Sequence, residues 1–298
     1  EVHPGAAPRA TVVIAAWNAE ATIGRAMDSA LAQTLPVEVL VVDDASPDGT
    51  GDIADRLAGE EPRITVLHRA GKEGLGKAYI DGISSWYTCM YGHCNPEITS
   101  RVKQQLDQLD QVVFSGFTHE PAVALSERLI PLLPGNQTRL FFSDNGSTAV
   151  EVAIKMALQY HFNKGGKKQV LLAFEEGFHG DTFGAMSVSG LSVYNGPFED
   201  FSLEVRRIPV PMTEAPESIL QHLDDLLKNF EVAAFIYEPL VQGAAAMKVH
   251  NRKGLGRILS FLKQRGILLI ADEVMTGFGK TGTCFASEQL ETSPEIIC

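Results

Sequence analysis

Four stretches of this chain, VEVLVVDD, QVLLAFEE, VAAFIYEP and GILLIADE, are apolar without the in-and-out alternation of a half-exposed strand. A strand of that kind must be covered on both faces, and parallel sheets with helical crossovers are where this occurs. Segments with helical spacing stand between the runs, so the chain is expected to be α/β. From Thr11 the order reads strand TVVIAAW, helix around 20–33, strand VEVLVVDD, turn ASPDGTG, helix DIADRLAG and strand RITVLHR. An aromatic, irregular stretch SSWYTCMYGHCNP and a helix near 96–109 come next. A second series follows: strand RLFFSD, helix 148–163, QVLLAFEE, a long irregular connection over 177–211, helix 216–228, VAAFIYEP, helix 254–264 and GILLIADE. The pattern changes near 80–83 without a spacer, which predicts two domains, 1–82 and 83–298.

The net charge of -12 excludes the basic footprint of a nucleic-acid binder. Any phosphate the chain holds must be held locally. Cys89, Cys94, Cys284 and Cys298 form no CxxC pair, and Cys89, His93 and Cys94 lack a second pair of ligands, so no metal site is expected and the thiols read as reduced. No run of eighteen apolar residues and no basic-then-apolar leader occurs, which predicts no membrane span and a cytoplasmic protein. The opening EVHPGAAPRA and the closing PEIIC read as the ends of a fragment.

The run IADEVMTGFGKTG delivers Asp272 and Glu273 from an apolar strand into a glycine-rich turn. A carboxylate at such a place costs free energy unless a cation or hydrogen-bond donors meet it. A phosphate loop is excluded, because Val274 stands six residues before Lys280 where glycine is needed. Two readings remain: a structural acid, or an acid facing a protonated heteroaromatic nitrogen. Upstream, FFSDNGSTAVEVAIKMALQYH suggests a strand ending at Ser143, a turn at Gly146, a capping box of Thr148 with Glu151, and an apolar face of Ala149, Ala153, Met156, Ala157 and Tyr160. The amides of Gly146 and Ser147 would then face an anion, or simply begin a capped helix. Phe178 follows the strand QVLLAF, where an aromatic can stack on a flat ligand or belong to the core.

Residues 83–298 resemble the fold type I, class III aminotransferases, and within them the adenosylmethionine-8-amino-7-oxononanoate aminotransferases of biotin synthesis. SSWYTCMYGHCNP, SGFTHEPA, SDNGSTAVEVAIKMALQY, GFHGDTFGAMS, EPLVQGAAAM and LLIADEVMTGFGKTG carry the resemblance in the family's order. It implies pyridoxal 5′-phosphate as cofactor, with Gly146 and Ser147 on its phosphate, Phe178 stacked on its ring, Asp272 paired with its ring nitrogen and Glu238 nearby. Trp86 and Tyr87 would line the substrate pocket, S-adenosylmethionine and 8-amino-7-oxononanoate would be the substrates, and a homodimer the assembly. The family's Schiff-base lysine would fall about thirty residues after Asp272, just beyond Cys298, and Lys280 matches a different family position.

TVVIAAWNAEATIGRAMDSALAQT and VEVLVVDDASPDGTGDIADRLAGEEPRITVLHRAGKEGLGKAYIDG resemble the family 2 glycosyltransferases, the second run being nearest to polyprenol-phosphate mannosyltransferases. The residues alone leave Asp43 and Asp44 either as solvated turn acids or as acceptors for a base or ribose. The resemblance implies a partial GT-A-like nucleotide-binding half-domain in which Asp43 contacts a nucleotide sugar and Ala16, Trp17 and Glu20 lie in the first-strand loop. No Asp-x-Asp occurs in the chain, so nothing evident holds the cation that transfer would need. The letters IDGISSW fit both patterns and suggest a chimera joined there. An incomplete aminotransferase is therefore expected; a glycosyltransferase acting on a lipid phosphate and an inactive fused fragment are the alternatives.

Overall fold

The structure is a computed structural model that describes residues 10–16, 18–32, 37–70, 84–190 and 195–298. It divides into two compact units, Glu1–Asp110 and Gln111–Cys298. The expected boundary at 82 lies outside the described residues.

In the first unit, β1 (Ala10–Ala16), β2 (Val37–Asp43) and β3 (Ile64–His68) pair in parallel in that order. Parallel neighbours require crossovers, and the helices Ile23–Leu31 and Thr50–Glu60 supply them. Ile23, Met27 and Ala30 fall on one helical face and pack with Val39, Val41, Ala54 and Ile64. Ser84–Tyr87 is a left-handed turn in which Ser84, Ser85, Trp86 and Tyr87 have φ of 49, 48, 57 and 71°. Residues with a Cβ adopt this conformation at a cost. The helix Pro96–Leu106 follows; Asn95 caps it by accepting from the amides of Glu97 and Ile98.

The second unit is built on a parallel sheet of β4 (Val170–Phe174), β5 (Val205–Ile208), β6 (Val232–Tyr237), β9 (Leu268–Ala271) and β10 (Ile296–Ile297), in the order β10-β9-β6-β4-β5. The two-residue strands β7 (Val241–Gln242) and β8 (Lys248–Val249) form a separate antiparallel pair. Every residue of β4 and β6 is buried, because alternate side chains enter different cores. Leu172, Phe174, Phe235 and Tyr237 pack with Leu223, Leu255 and Leu259 of the helices Glu217–Asn229 and Arg252–Gln264. Leu171, Ala173, Ala234 and Ile236 meet Val150, Ala153, Ile154 and Ala157 of the helix Gly146–Asn163. The unbroken apolar runs are thus strands between two helical layers.

Three local expectations are corrected. RLFFSD forms no strand; residues 139–144 have no sheet partner among the described residues, and Phe141 is 63% exposed. The helix begins at Gly146, capped by Asn145, whose side chain accepts from the Thr148 amide while Thr148 Oγ1 accepts from the Asn145 amide. The Thr148/Glu151 capping box is therefore not formed, and the buried face is Val150, Ala153, Ile154, Ala157 and His161, leaving Met156 and Tyr160 exposed. Finally, the connection 177–211 contains the short helix Phe183–Val188 and strand β5. The sequence VRRI hid that strand, because an edge strand needs no continuous apolar run.

Candidate functional site

In an open parallel sheet, ligands bind outside the carboxyl ends of the strands. Three neighbouring strands each deliver a carboxyl-bearing or aromatic residue there: β4 leads into Phe178 and His179, β6 into Glu238, and β9 into Asp272 and Glu273. Phe178 is half-buried, while Glu238, Asp272 and Glu273 are buried. Glu238 Oε1 accepts from the Phe178 amide at 3.1 Å and Oε2 from the Gly243 amide at 2.7 Å. Burial raises the Glu238 carboxyl above its ordinary range and outweighs the opposing pull of His179 and the two amides. Glu238 thus ties the end of β6 to the backbone of the Phe178 loop.

The two adjacent acids take different partners. Asp272 Oδ2 accepts from His179 Nδ1 at 2.7 Å, and Oδ1 accepts from the Val274 amide at 3.2 Å. Glu273 turns elsewhere: Oε2 accepts from Thr276 Oγ1 at 2.8 Å and the Ala286 amide at 2.9 Å, and Oε1 from the Ser287 amide at 2.8 Å. The structural reading therefore holds for Glu273. Asp272 sits in the strand-end cluster.

The helix start meets the same cluster. A Cβ on Gly146 would lie 3.1 Å from both Val274 methyls, and Ser147 Oγ accepts from the Asp181 amide at 3.2 Å. Gly146, Ser147, Phe178 and Asp272 are consequently linked through Val274, His179 and Gly180. Val274 and His179 were absent from the sequence-based set. The apolar Val274 directly after the acid pair and the histidine adjoining Phe178 were the signals available in the sequence.

Gly180 has φ of +127°, and a Cβ there would lie 2.3 Å from Ser147 Oγ. Gly180→Ala is expected to lower the stability of the unit by about 2–4 kcal/mol, combining backbone strain with overpacking. Urea denaturation measures it, and a loss below about 0.5 kcal/mol would contradict the close approach.

In the first unit Asp43 is buried at the end of β2; Oδ1 accepts from the Ser46 amide at 3.1 Å and Oδ2 faces His68 Nδ1 at 3.2 Å. Burial pushes the Asp43 carboxyl up, but the hydrogen bonds from Ser46 and His68 outweigh it and hold the carboxyl below its ordinary value. Ala16 is buried, and its carbonyl accepts from the Asp44 amide. Glu20 is exposed and accepts from the Gly49 amide at 3.3 Å. Trp17 lies outside the described residues. Trp86 and Tyr87 belong to the left-handed turn of this unit, with ring centroids 6.2 Å apart.

His68 Nε2 also lies 2.9 Å from Asp55, and Asp55 and Asp43 together raise the His68 pKa above 6.5. A raised histidine stabilises the fold fully below its unfolded value, near 6.5, and loses that contribution as pH rises through its folded value. With the side chain 45% exposed, screening limits the effect to less than about 1 kcal/mol. Asp55→Asn is expected to lower the His68 titration midpoint read by NMR; an unchanged midpoint would remove Asp55 as a cause.

Among the described residues no helix is long and apolar enough to cross a membrane, and no group of three or more His, Cys, Asp or Glu is arranged to hold a metal.

Comparison with known proteins gives two family matches: aminotransferase class-III over residues 72–298 and glycosyl transferase family 2 over residues 11–88. An adenosylmethionine-8-amino-7-oxononanoate aminotransferase of Synechococcus elongatus is 46% identical over 81% of this chain and 57% of its own length. The Helicobacter pylori protein of that name is 38% identical over 74% of this chain and 51% of its own. Among solved structures, the Methanocaldococcus jannaschii aminotransferase of the same name superposes with a TM-score of 0.65 at 31% identity, over 70% of this chain and 48% of that one. An (S)-enantioselective omega-transaminase from Thermomicrobium roseum gives 0.70 at 31%, over 74% and 52%. The chain spans about half the length of the curated relatives it matches. The fold type I likeness resides in a parallel sheet flanked by helices, and the class-III match runs through every strand of that sheet: the chain belongs to the class-III aminotransferase family.

Proposed function

We propose that the second unit holds pyridoxal 5′-phosphate and serves amino transfer from S-adenosylmethionine to 8-amino-7-oxononanoate, in biotin synthesis. Class-III aminotransferases depend on this cofactor. The observation that carries the reading is the buried Asp272 carboxylate at the carboxyl edge of the sheet, linked through its neighbours to Phe178 and to a helix N-terminus. The residues fit the cofactor chemically. Space free of a side chain at Gly146 lies next to Val274, backbone amides at the helix start suit an anion, and an acid suits a protonated ring nitrogen.

In this reading Gly146 and Ser147 hold the phosphate, Phe178 and Val274 supply apolar surface for the ring, and Asp272 accepts the hydrogen of the ring nitrogen. Glu238 holds the Phe178 loop in place through its backbone amide. When bound, the cofactor supplies the electron sink that amino exchange requires. Trp86 and Tyr87 are proposed to contact substrate, and a homodimer and a cytoplasmic location are proposed with the activity. Spectral titration of this chain with pyridoxal phosphate, followed by an amino-transfer assay with both substrates on a polypeptide containing the whole site, tests the reading; the absence of any ring-specific binding would overturn it.

Lys280 is not proposed as the covalent anchor. Burial lowers its pKa, and its amine donates to the Gly277 carbonyl at 3.4 Å. Borohydride reduction of the 298-residue polypeptide with pyridoxal phosphate, read by peptide mass spectrometry, is expected to leave Lys280 unlabelled. Stoichiometric labelling there would overturn this assignment.

For residues 1–82 we propose a partial nucleotide-sugar site with Ala16, Glu20 and Asp43, supported by the glycosyl transferase match over residues 11–88. Both Asp43 oxygens already have protein partners, so binding of a nucleotide there would replace or share them. The two family matches overlap over residues 72–88, consistent with a join at IDGISSW. Amplification across codons 70–95 from source DNA separates a natural fusion from an assembly of unrelated sequences.

A further inference from the structure

We propose that Cys89 is a modification site: its thiol exchanges with small organic disulfides, with His93 as the base that takes the thiol proton. The inference is independent of the cofactor reading above. Cys89 Sγ stands 3.7 Å from His93 Nδ1, and His93 Nε2 stands 3.4 Å from Ser85 Oγ. A nucleophile, a base within hydrogen-bond reach of it and a third group that orients the base together make the pattern of an activated side chain. With its Nε2 hydrogen directed at Ser85, the imidazole keeps the Nδ1 lone pair for the thiol. Cys89 and His93 are both half-buried, which leaves a small reagent access to the sulfur.

The backbone brings these three side chains together. The Ser84 carbonyl accepts from the Cys89 amide at 2.8 Å, and the Ser85 carbonyl accepts from Thr88 Oγ1 at 2.8 Å. The Cys89 carbonyl then accepts from the Gly92 amide at 3.2 Å, and Gly92, with φ of 81°, turns the chain so that His93 meets the thiol. From Gly82 to Pro96 the sequence has no acidic residue, so no carboxylate of this segment opposes a developing thiolate. Cys94 is the internal comparison: it is more exposed than Cys89 and has no such base beside it among the described residues. In the exchange, the Cys89 sulfur attacks one sulfur of a disulfide RSSR as its proton passes to His93 Nδ1. The bond from Cys89 Sγ to that sulfur forms, the reagent's own bond between sulfurs breaks, and the departing thiolate takes the proton back from the imidazole. Cys89 is left oxidised as a mixed disulfide, and half of the reagent leaves reduced as RSH.

The test treats the 298-residue polypeptide with limiting dithiodipyridine and follows Cys89, Cys94, Cys284 and Cys298 separately over time by peptide mass spectrometry. Cys89 is expected to react about tenfold faster than Cys94 despite its lower exposure, a modest share of what a positioned base contributes. His93→Ala and His93→Gln are both expected to bring the Cys89 rate down to that of Cys94, with the Cys94 rate unchanged. Ser85→Ala, which leaves the base in place but loses its orienting hydrogen bond, is expected to slow Cys89 by about fivefold. A turn that merely opened on losing the imidazole would expose the sulfur and speed the reaction, so a fall in rate reports the lost base rather than lost packing. A parent chain in which Cys94 reacts as fast as Cys89 overturns the proposal, as does a Cys89 rate that either histidine variant leaves unchanged or raises.

Discussion

Alanine at position 273 is expected to cost the second unit about 3–5 kcal/mol, because it strands the hydroxyl of Thr276 and the amides of Ala286 and Ser287 in a buried site. The loss is read as a lower urea midpoint at unchanged slope. Glu273→Gln keeps an acceptor oxygen and should lose less. The same substitution should leave pyridoxal phosphate binding intact wherever the variant remains folded, since no Glu273 hydrogen bond reaches His179, Asp272 or the helix start. A Glu273→Ala chain as stable as the parent would show that the strand-end turn is held by something other than this side chain.

Asp272→Asn is expected to have the opposite profile. It preserves shape and one acceptor oxygen, so stability should change by no more than about 1–2 kcal/mol. Binding of pyridoxal phosphate should weaken about a hundredfold, and amino transfer by any polypeptide containing the whole site should fall further, because a neutral amide no longer favours the charged ring nitrogen. Titration and turnover measure the two effects separately. Undiminished binding with undiminished turnover would remove Asp272 from the site, and the cofactor reading with it. Two adjacent acids, one strand apart from neither, are thus predicted to respond to mutation in contrary ways.

The central strands were legible because Leu171 to Phe174 and Ala233 to Tyr237 face helices on both sides and leave an unbroken apolar signature. The edge strand Val205–Ile208 was not, since two arginines in its middle conceal it. Phe141 and Phe142 suggested a strand through their propensity, but propensity does not provide a neighbouring ladder. At the helix start the sequence suggested a Thr148/Glu151 box, but Asn145 caps the helix, because its short side chain reaches the Thr148 amide while Glu151 accepts from the Gly184 amide. Asp272 and Phe178 stood out as residue types at strand ends. The division of labour between Asp272 and Glu273 could not be read from adjacent letters, since it depends on which of the His179 loop and the 285–288 turn each side chain reaches, and those lie far apart in sequence.

The order β10-β9-β6-β4-β5 also has a bearing on how the polypeptide leaves the ribosome. In this sheet β4 is made first and receives β5 on one side; β6 then pairs with the other side of β4, and β9 and β10 add in order of synthesis beyond β6. No later strand has to be threaded between two already paired. Once β5 has joined, the edge that still has to receive a strand always lies on the side away from β5, and an open edge of this kind is where a nascent chain is vulnerable to pairing with another. Asp272 follows β9, the fourth strand of this sheet to be made, so the His179 imidazole, which follows β4, gains its Asp272 partner only late in this growth.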